Sequence, residues 1–155
     1  MRGRHVAAIL LTLVLPLTAA CGMPRDPEDS FDRIRRGGVL RAGITDREPW
    51  TPAEAAVVDA FAQSLGARVE WHRASESALF EALETFDLDV AVGGFTADNP
   101  SAPRLGMTRP YVEADGRKHV IAVAPGENRL LFEFDRMLRA QAASIAARTG
   151  GKPLS

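Results

Sequence analysis

Asp89-Val90-Ala91-Val92-Gly93-Gly94-Phe95-Thr96 is a short apolar run that ends in two glycines and a hydroxyl residue, and Pro110-Tyr111 follows one loop later. Apolar residues without polar alternation read as a strand covered on both faces, the pattern of a parallel sheet. Glycines at the C-terminal end of such a strand let another group approach the backbone closely. In open α/β sheets that edge is where ligands bind. The run therefore predicts both a fold class and a place to look for a ligand.

Working outward, strands and helices alternate. Residues 30–37 read as a short helix, with Ser30 as N-cap, Arg35 and Arg36 in the last turn and Gly37 at the stop. Residues 39–44 form a first strand, and a loop with Pro49 and Pro52 follows. Residues 53–65 are helical, with Val57, Val58, Phe61 and Leu65 on one face and Gly66 as the terminator. Residues 68–71 are a second strand. Ser75 caps a helix whose Leu79, Phe80 and Leu83 point one way. Residues 89–93 and 119–124 give a third and a fourth strand, and 128–147 a long amphipathic helix. The expected architecture is α/β: right-handed βαβ units, a mostly parallel sheet of four to five strands, and helices on both faces.

The N-terminus speaks to compartment. Arg2 and Arg4 precede an apolar run of about 12 residues, too short to span a bilayer. Thr18-Ala19-Ala20 then leads into Cys21, the one cysteine of the chain. A basic start, a short apolar stretch and small residues read as an export signal over 1–20. The cysteine directly after them resembles a bacterial lipoprotein signal, which implies acylation at Cys21 and a lipid-anchored, extracytoplasmic location at the cell membrane. Residues 21–29, with Pro24 and Pro27, read as a flexible tether, 30–147 as one domain, and 148–155, with two glycines and a proline, as a disordered tail. About 115 residues suffice for one modest core. Loss of Arg2 and Arg4 takes 19 basic side chains to 17, against 20 acidic ones. There is no basic stripe, so nucleic acid is not an expected partner.

The order of motifs resembles the bacterial extracellular solute-binding proteins of family 3, the amino-acid type that serves ABC importers. Gly38-Val39-Leu40-Arg41-Ala42-Gly43 followed by Pro49-Trp50 matches the opening strand and its aromatic loop. Leu65-Gly66, Val69-Glu70-Trp71, Leu83 through Asp89, Gly94-Phe95-Thr96 and Thr108-Arg109-Pro110-Tyr111 follow in the family's order. The family has two lobes. After Pro110-Tyr111 a second lobe is expected, yet the returning strand and its Asn128 helix come at once. The chain thus resembles a first lobe with the second absent and its ends rejoined, and 113–118, containing Asp115-Gly116, reads as the turn across the join. A single lobe offers one wall, whereas good pockets bury 70–90% of a ligand.

What the resemblance implies for the site is specific. Thr96 and the Gly94 carbonyl would hold the ligand's polar groups, and Trp50 would line the cleft. The family's carboxylate-gripping arginine falls at Ser101 here, which leaves Arg104, one helical turn on, as the expected substitute. Each has a plainer alternative: a turn-capping threonine, a tight-turn glycine, a core tryptophan, a solvated arginine. Metal ligands at usable spacing, a phosphate loop and a nucleophile beside a base are all missing from the sequence, so no metal, cofactor or enzymatic activity is expected. The leading expectation is a small polar solute as ligand and a membrane transporter as partner. A lobe that docks on a membrane partner or on a second copy of itself is the alternative. A dehydratase-like enzyme is the weaker one.

Overall fold

The computed structural model describes residues 26–155. The export signal, Cys21 and residues 21–25 of the tether lie outside the described residues. α1 (Ser30–Gly37) leads into β1 (Val39–Ile44), α2 (Trp50–Ser64), β2 (Arg68–Arg73), α3 (Glu76–Glu84) and β3 (Val90–Val92). A single 3-10 turn, Ala102–Arg104, precedes β4 (Gly106–Met107), β5 (Val112–Ala114), β6 (Arg117–His119) and β7 (Ala122–Val123). α4 (Asn128–Thr149) and β8 (Lys152–Pro153) complete the chain.

The main sheet has the order β2-β1-β3-β7-β4. Side chains alternate across it as the pleat requires. Leu40, Ala42, Val90, Val92, Ile121 and Val123 face α1, α2 and α4, where Phe61 and Phe134 meet edge to face with centroids 4.8 Å apart. Ala91, Val120 and Ala122 face α3, where Leu79, Phe80 and Leu83 pack with Phe95. Gly43 belongs to this second face: a Cβ there would lie 2.7 Å from Leu79 Cδ2 and 2.8 Å from Leu88 Cδ1. The glycine lets α3 sit against the sheet.

The α/β lobe with helices on both faces is present, but the sheet is mixed rather than mostly parallel. β2-β1 and β1-β3 are parallel, whereas β3-β7 and β7-β4 are antiparallel. The expected fourth strand over 119–124 is two short ones. β6 pairs with β5 in a separate three-stranded sheet, β6-β5-β8, and β7 alone enters the main sheet. The hairpin between β5 and β6 reverses the chain, so β7 arrives from the opposite end of the sheet. Asp115 (φ 51°) and Gly116 (φ 71°) make that reversal, both left-handed as a two-residue hairpin loop demands.

The termini are also more ordered than expected. The tail over 148–155 is not disordered. α4 runs to Thr149 and stops at left-handed Gly150; β8 pairs with β5, and the Leu154 N–H donates to the Tyr111 carbonyl (2.9 Å). Gly151 packs so close that a Cβ would lie 2.4 Å from Val112 Cγ1. The described part of the tether is bound as well: the Asp26 N–H donates to the Gly126 carbonyl, 3.1 Å. Ser30 is not the N-cap of α1. Asp29 holds that position, and the first turn is satisfied from afar, where the Glu127 carboxylate accepts from the N–H groups of Glu28 (2.7 Å) and Ser30 (2.8 Å). α2 starts at Trp50, three residues before the start at 53 expected from the sequence.

Asp89, at the head of the decisive run, is fully buried. It accepts from the Arg41 N–H (2.9 Å) and Nη2 (2.7 Å) and from Arg33, so one carboxylate joins α1, β1 and the start of β3. Removing an anion from such a pair strands the cations and donors it served. Asp89→Asn is expected to cost about 2–3 kcal/mol in urea unfolding with an unchanged m-value; a loss under about 0.5 kcal/mol would contradict this role.

Candidate functional site

The C-terminal ends of β1 and β3 meet the start of α2, and this is where the candidate residues gather. Gly93 (φ 149°) and Gly94 (φ 67°) turn the chain after β3. A Cβ on Gly93 would lie 2.2 Å from Thr45 Cγ2, and one on Gly94 2.7 Å from Trp50 Cγ. Backbone and neighbours therefore touch here as only glycine permits. The turn is held by Glu54, in the second turn of α2 and completely buried. Its Oε2 accepts from the N–H groups of Gly93 (2.8 Å) and Gly94 (2.9 Å), and its Oε1 accepts from the Tyr111 hydroxyl.

Burial pushes the Glu54 carboxyl up to about 6, although the Tyr111 hydroxyl and the two amides hold it down. Tyr111 is itself raised well above its usual value, by burial and then by the Glu54 charge. Glu54 has a sequence signal that spacing alone reveals. It occupies the i position of the stripe continued by Val57, Val58 and Phe61, so an ionisable group stands on the core face of its helix.

Trp50 is buried against Gly94 and stacks on His119, with ring centroids 3.4 Å apart and planes 10° from parallel. His119 Nδ1 is buried without a hydrogen-bond partner among the described residues. Burial, then the Arg117 charge, draws this imidazole down to about 4, with Arg47 adding in the same sense. The ring is neutral at neutral pH. Trp50 and His119 thus form an uncharged aromatic wall beside the glycine turn.

The two ligand acceptors expected from sequence are both engaged by arginines. Arg47 Nη1 donates to the Gly94 carbonyl (3.3 Å) and Nη2 to Glu76 (3.2 Å). Arg117 Nη2 donates to Thr96 Oγ1 (2.7 Å) and to Asp98 (3.1 Å). The Thr96 hydroxyl and then Arg117 hold the Asp98 carboxyl below its usual range. Asn99 Nδ2 donates to Glu76 (2.7 Å) and fixes the loop against α3.

Trp50, Gly94 and Thr96 therefore come together, and Arg104 does not join them. The 3-10 turn brings its Nη2 to Ser101 Oγ (3.2 Å), the position the resemblance singles out, but Nη1 goes to Glu84. Glu84 lies eight residues along α3 from Glu76, about 12 Å at helical rise. Glu54, His119, Arg47 and Arg117 are the site residues that sequence reading missed. Open grooves lie elsewhere: about 580 Å³ between α1, α2 and α4, beside Phe31, Arg129 and Met137, and about 350 Å³ beside Met107 and Phe132. Neither takes a wall from Gly94 or Thr96.

No family model matches the chain. Among curated proteins it is 31% identical over 108 residues to membrane-bound lytic murein transglycosylase F of Vibrio campbellii, a stretch of 64% of this chain and 20% of the relative. The chain thus spans about a fifth of the length of the curated relatives it matches. Among solved structures, arginine-bound domain 1 of TmArgBP, from T. maritima, superposes with TM-score 0.64 at 22% identity, covering 70% of this chain and 98% of that one. EhuB, solved with hydroxyectoine, gives TM-score 0.69 at 12% identity, covering 83% and 94%. With the sheet order above, these likenesses define a single periplasmic-binding-protein-like lobe, a solute-binding-like fold.

Glu54 and His119 tilt stability in opposite directions with pH. The folded Glu54 value, about 6, exceeds its unfolded 4.5, so its contribution is fully present below about 4.5 and is lost as pH rises through 6, about 2 kcal/mol in all. The folded His119 value lies below its unfolded 6.5, so its contribution is present above 6.5 and is lost as pH falls toward 4. Relative to the parent chain, Glu54→Gln is expected to lose stability more steeply between pH 6 and 4.5, and His119→Gln less steeply. Urea midpoints at the two pH values check both slopes; parallel profiles in all three chains would contradict the assignment.

Proposed function

We propose that this lobe is a lipid-anchored, extracytoplasmic solute-binding component that takes a small polar solute at the 93–96 edge and works with an ABC-type membrane transporter. The observation that carries the reading is the edge itself. A buried carboxylate fixes the glycine turn, and Gly94 and Thr96 offer acceptors to half-exposed guanidinium groups that a small ligand can bridge or displace. Trp50 supplies the wall. Domain 1 of TmArgBP was crystallised with arginine, which supports binding by one lobe of this fold without a second. The lobe is not itself an enzyme in this reading, and no cofactor is involved. The acyl group on Cys21 would tie the domain to the membrane through the few residues before Asp26.

A second reading has its own support. The curated relatives are about five times the length of the stretch they share with this chain, and Phe132, 63% exposed, borders the groove beside Met107. Both favour a lobe used as a docking or regulatory module, on a membrane partner or on its own kind.

Thermal melting against pooled amino acids, small carboxylates, polyamines and sugars separates the two readings. A solute at 100 times its dissociation constant is expected to add about 2.7 kcal/mol of stability. Unchanged melting with every pool would overturn solute binding and favour docking. In cells, Cys21→Ser is expected to move the protein from the membrane fraction to the soluble one. A variant that stayed with the membrane would overturn the acyl anchor.

A further inference from the structure

We propose that the first turn of α4, with Phe132 at its centre, rests on the lipid bilayer and holds the 93–96 edge away from it; the proposal rests on the acyl anchor at Cys21 given above.

Phe132 is the one large apolar side chain that stands exposed among the described residues. It is not on the stripe that folds α4. Leu130, Phe134 and Leu138 are buried, whereas Phe132 lies two residues, about 200° around the helix, from both Leu130 and Phe134. Nor does it stand alone. Leu131 and Met107, both half-buried, line the same groove of about 350 Å³. A contiguous apolar surface of this kind gains from leaving water.

The covalent chain sets what lies near it. Asp26 is pinned to the start of α4: its N–H donates to the Gly126 carbonyl (3.1 Å), and its Oδ1 accepts from the Arg129 N–H (2.7 Å). Phe132 follows Arg129 within one turn, about 4.5 Å of rise. Cys21 precedes Asp26 by five residues, which span at most about 18 Å whatever their path. An acyl group on Cys21 therefore keeps the start of α4 close to the lipid surface.

Sheet polarity sets which way the lobe faces. Gly93 and Gly94 follow the C-terminal end of β3. β7 runs antiparallel to β3, and the Ala124 N–H donates to the Asp89 carbonyl at the head of that strand (3.1 Å). Glu127 then holds the start of α1, the helix that leads into the N-terminal end of β1. The tether thus leaves from the end of the sheet opposite the glycine turn. With the first turn of α4 on the bilayer, the 93–96 edge stands at the far end of the lobe, open to solutes.

The contact is apolar rather than electrostatic. Arg109, Arg129 and Arg136 rim it, but each is paired with an acid: Asp135, Asp32 and Glu133. Their stems extend the apolar surface while the charged heads stay among the lipid headgroups. Phe132 adds a second, weaker hold beside the acyl group.

Lipid-borne quenching tests this on the full acylated chain, in vesicles of phosphatidylethanolamine and phosphatidylglycerol in equal amounts, some lipids carrying a headgroup nitroxide. A thiol-reactive fluorophore is placed at Arg136→Cys, one turn beyond Phe132, or at Arg148→Cys, about 24 Å from Phe132 along α4. The label at 136 is expected to be quenched about threefold more than the label at 148, and equally so in phosphatidylcholine vesicles, since the contact is apolar. Phe132→Asp, at a position already exposed, is expected to keep the fold and to lose most of that difference; Phe132→Ser is the second variant should the aspartate not fold. If Cys21 of the parent takes the label and the chain leaves the vesicles, the acyl anchor falls and this proposal with it. If the chain stays anchored and the two labels are quenched alike, the proposal is overturned and the anchor stands. If the 136 label is quenched more but Phe132→Asp changes nothing, the short tether alone sets the distance, and the contact through Phe132 is overturned. If sedimentation in detergent gives a dimer that Phe132→Asp dissociates, a second copy covers the groove and the bilayer contact is again overturned.

Discussion

Glu54 carries a carboxylate into the interior of the lobe and commits both of its oxygens to the glycine turn and to Tyr111. Three otherwise separate segments meet through it: the start of α2, the end of β3 and the strand that leads into the hairpin. A buried ion is costly unless its acceptors are filled, and here each oxygen has a donor. The turn it fixes sets where the Gly94 carbonyl and Thr96 stand, and Trp50 packs against the same turn. The polar edge is therefore rigid at its base and adjustable at its rim, where Arg47 and Arg117 are long, half-exposed side chains.

A second carboxylate works the opposite end of the same strand. Asp89 ties α1 and β1 to the head of β3, as Glu54 ties α2 and Tyr111 to its tail. The strand between them contains three residues, Val90–Val92, all buried. So short a strand has few ladder bonds of its own. The buried acids at its two ends compensate: Asp89 holds its head against β1, and Glu54 holds the turn after it against α2.

The parallel half of the sheet was legible because β3 is an apolar run closed by glycines, β1 is rich in apolar residues, and α2 and α3 carry stripes at helical spacing. Of the antiparallel half, β7 was read only inside a longer strand over 119–124 and β4 not at all, since each is two residues long and carries no period. The ordered C-terminus was missed for a related reason. Gly150, Gly151 and Pro153 read as breakers, yet Gly150 ends α4 and Gly151 allows the chain to lie against Val112. Within the candidate site, Trp50, Gly94 and Thr96 were named through motif order, and the fold gathers them at one turn. Arg47 and Arg117 were not, because their partners lie 47 and 21 residues away and nothing local marks them. Glu54 stood in view on an apolar stripe, but its role depends on amides 39 and 40 residues distant.

If the 93–96 turn is where a solute meets this lobe, its backbone amides must sense the ligand. Amide chemical-shift mapping by NMR, during titration with a pool of small amino acids and carboxylates, reads this residue by residue. The largest shifts should fall on Gly93, Gly94, Thr96 and the hairpin around Arg117. Shifts confined to the groove between α1 and α4, with the glycine turn unmoved, would contradict the assignment of the site.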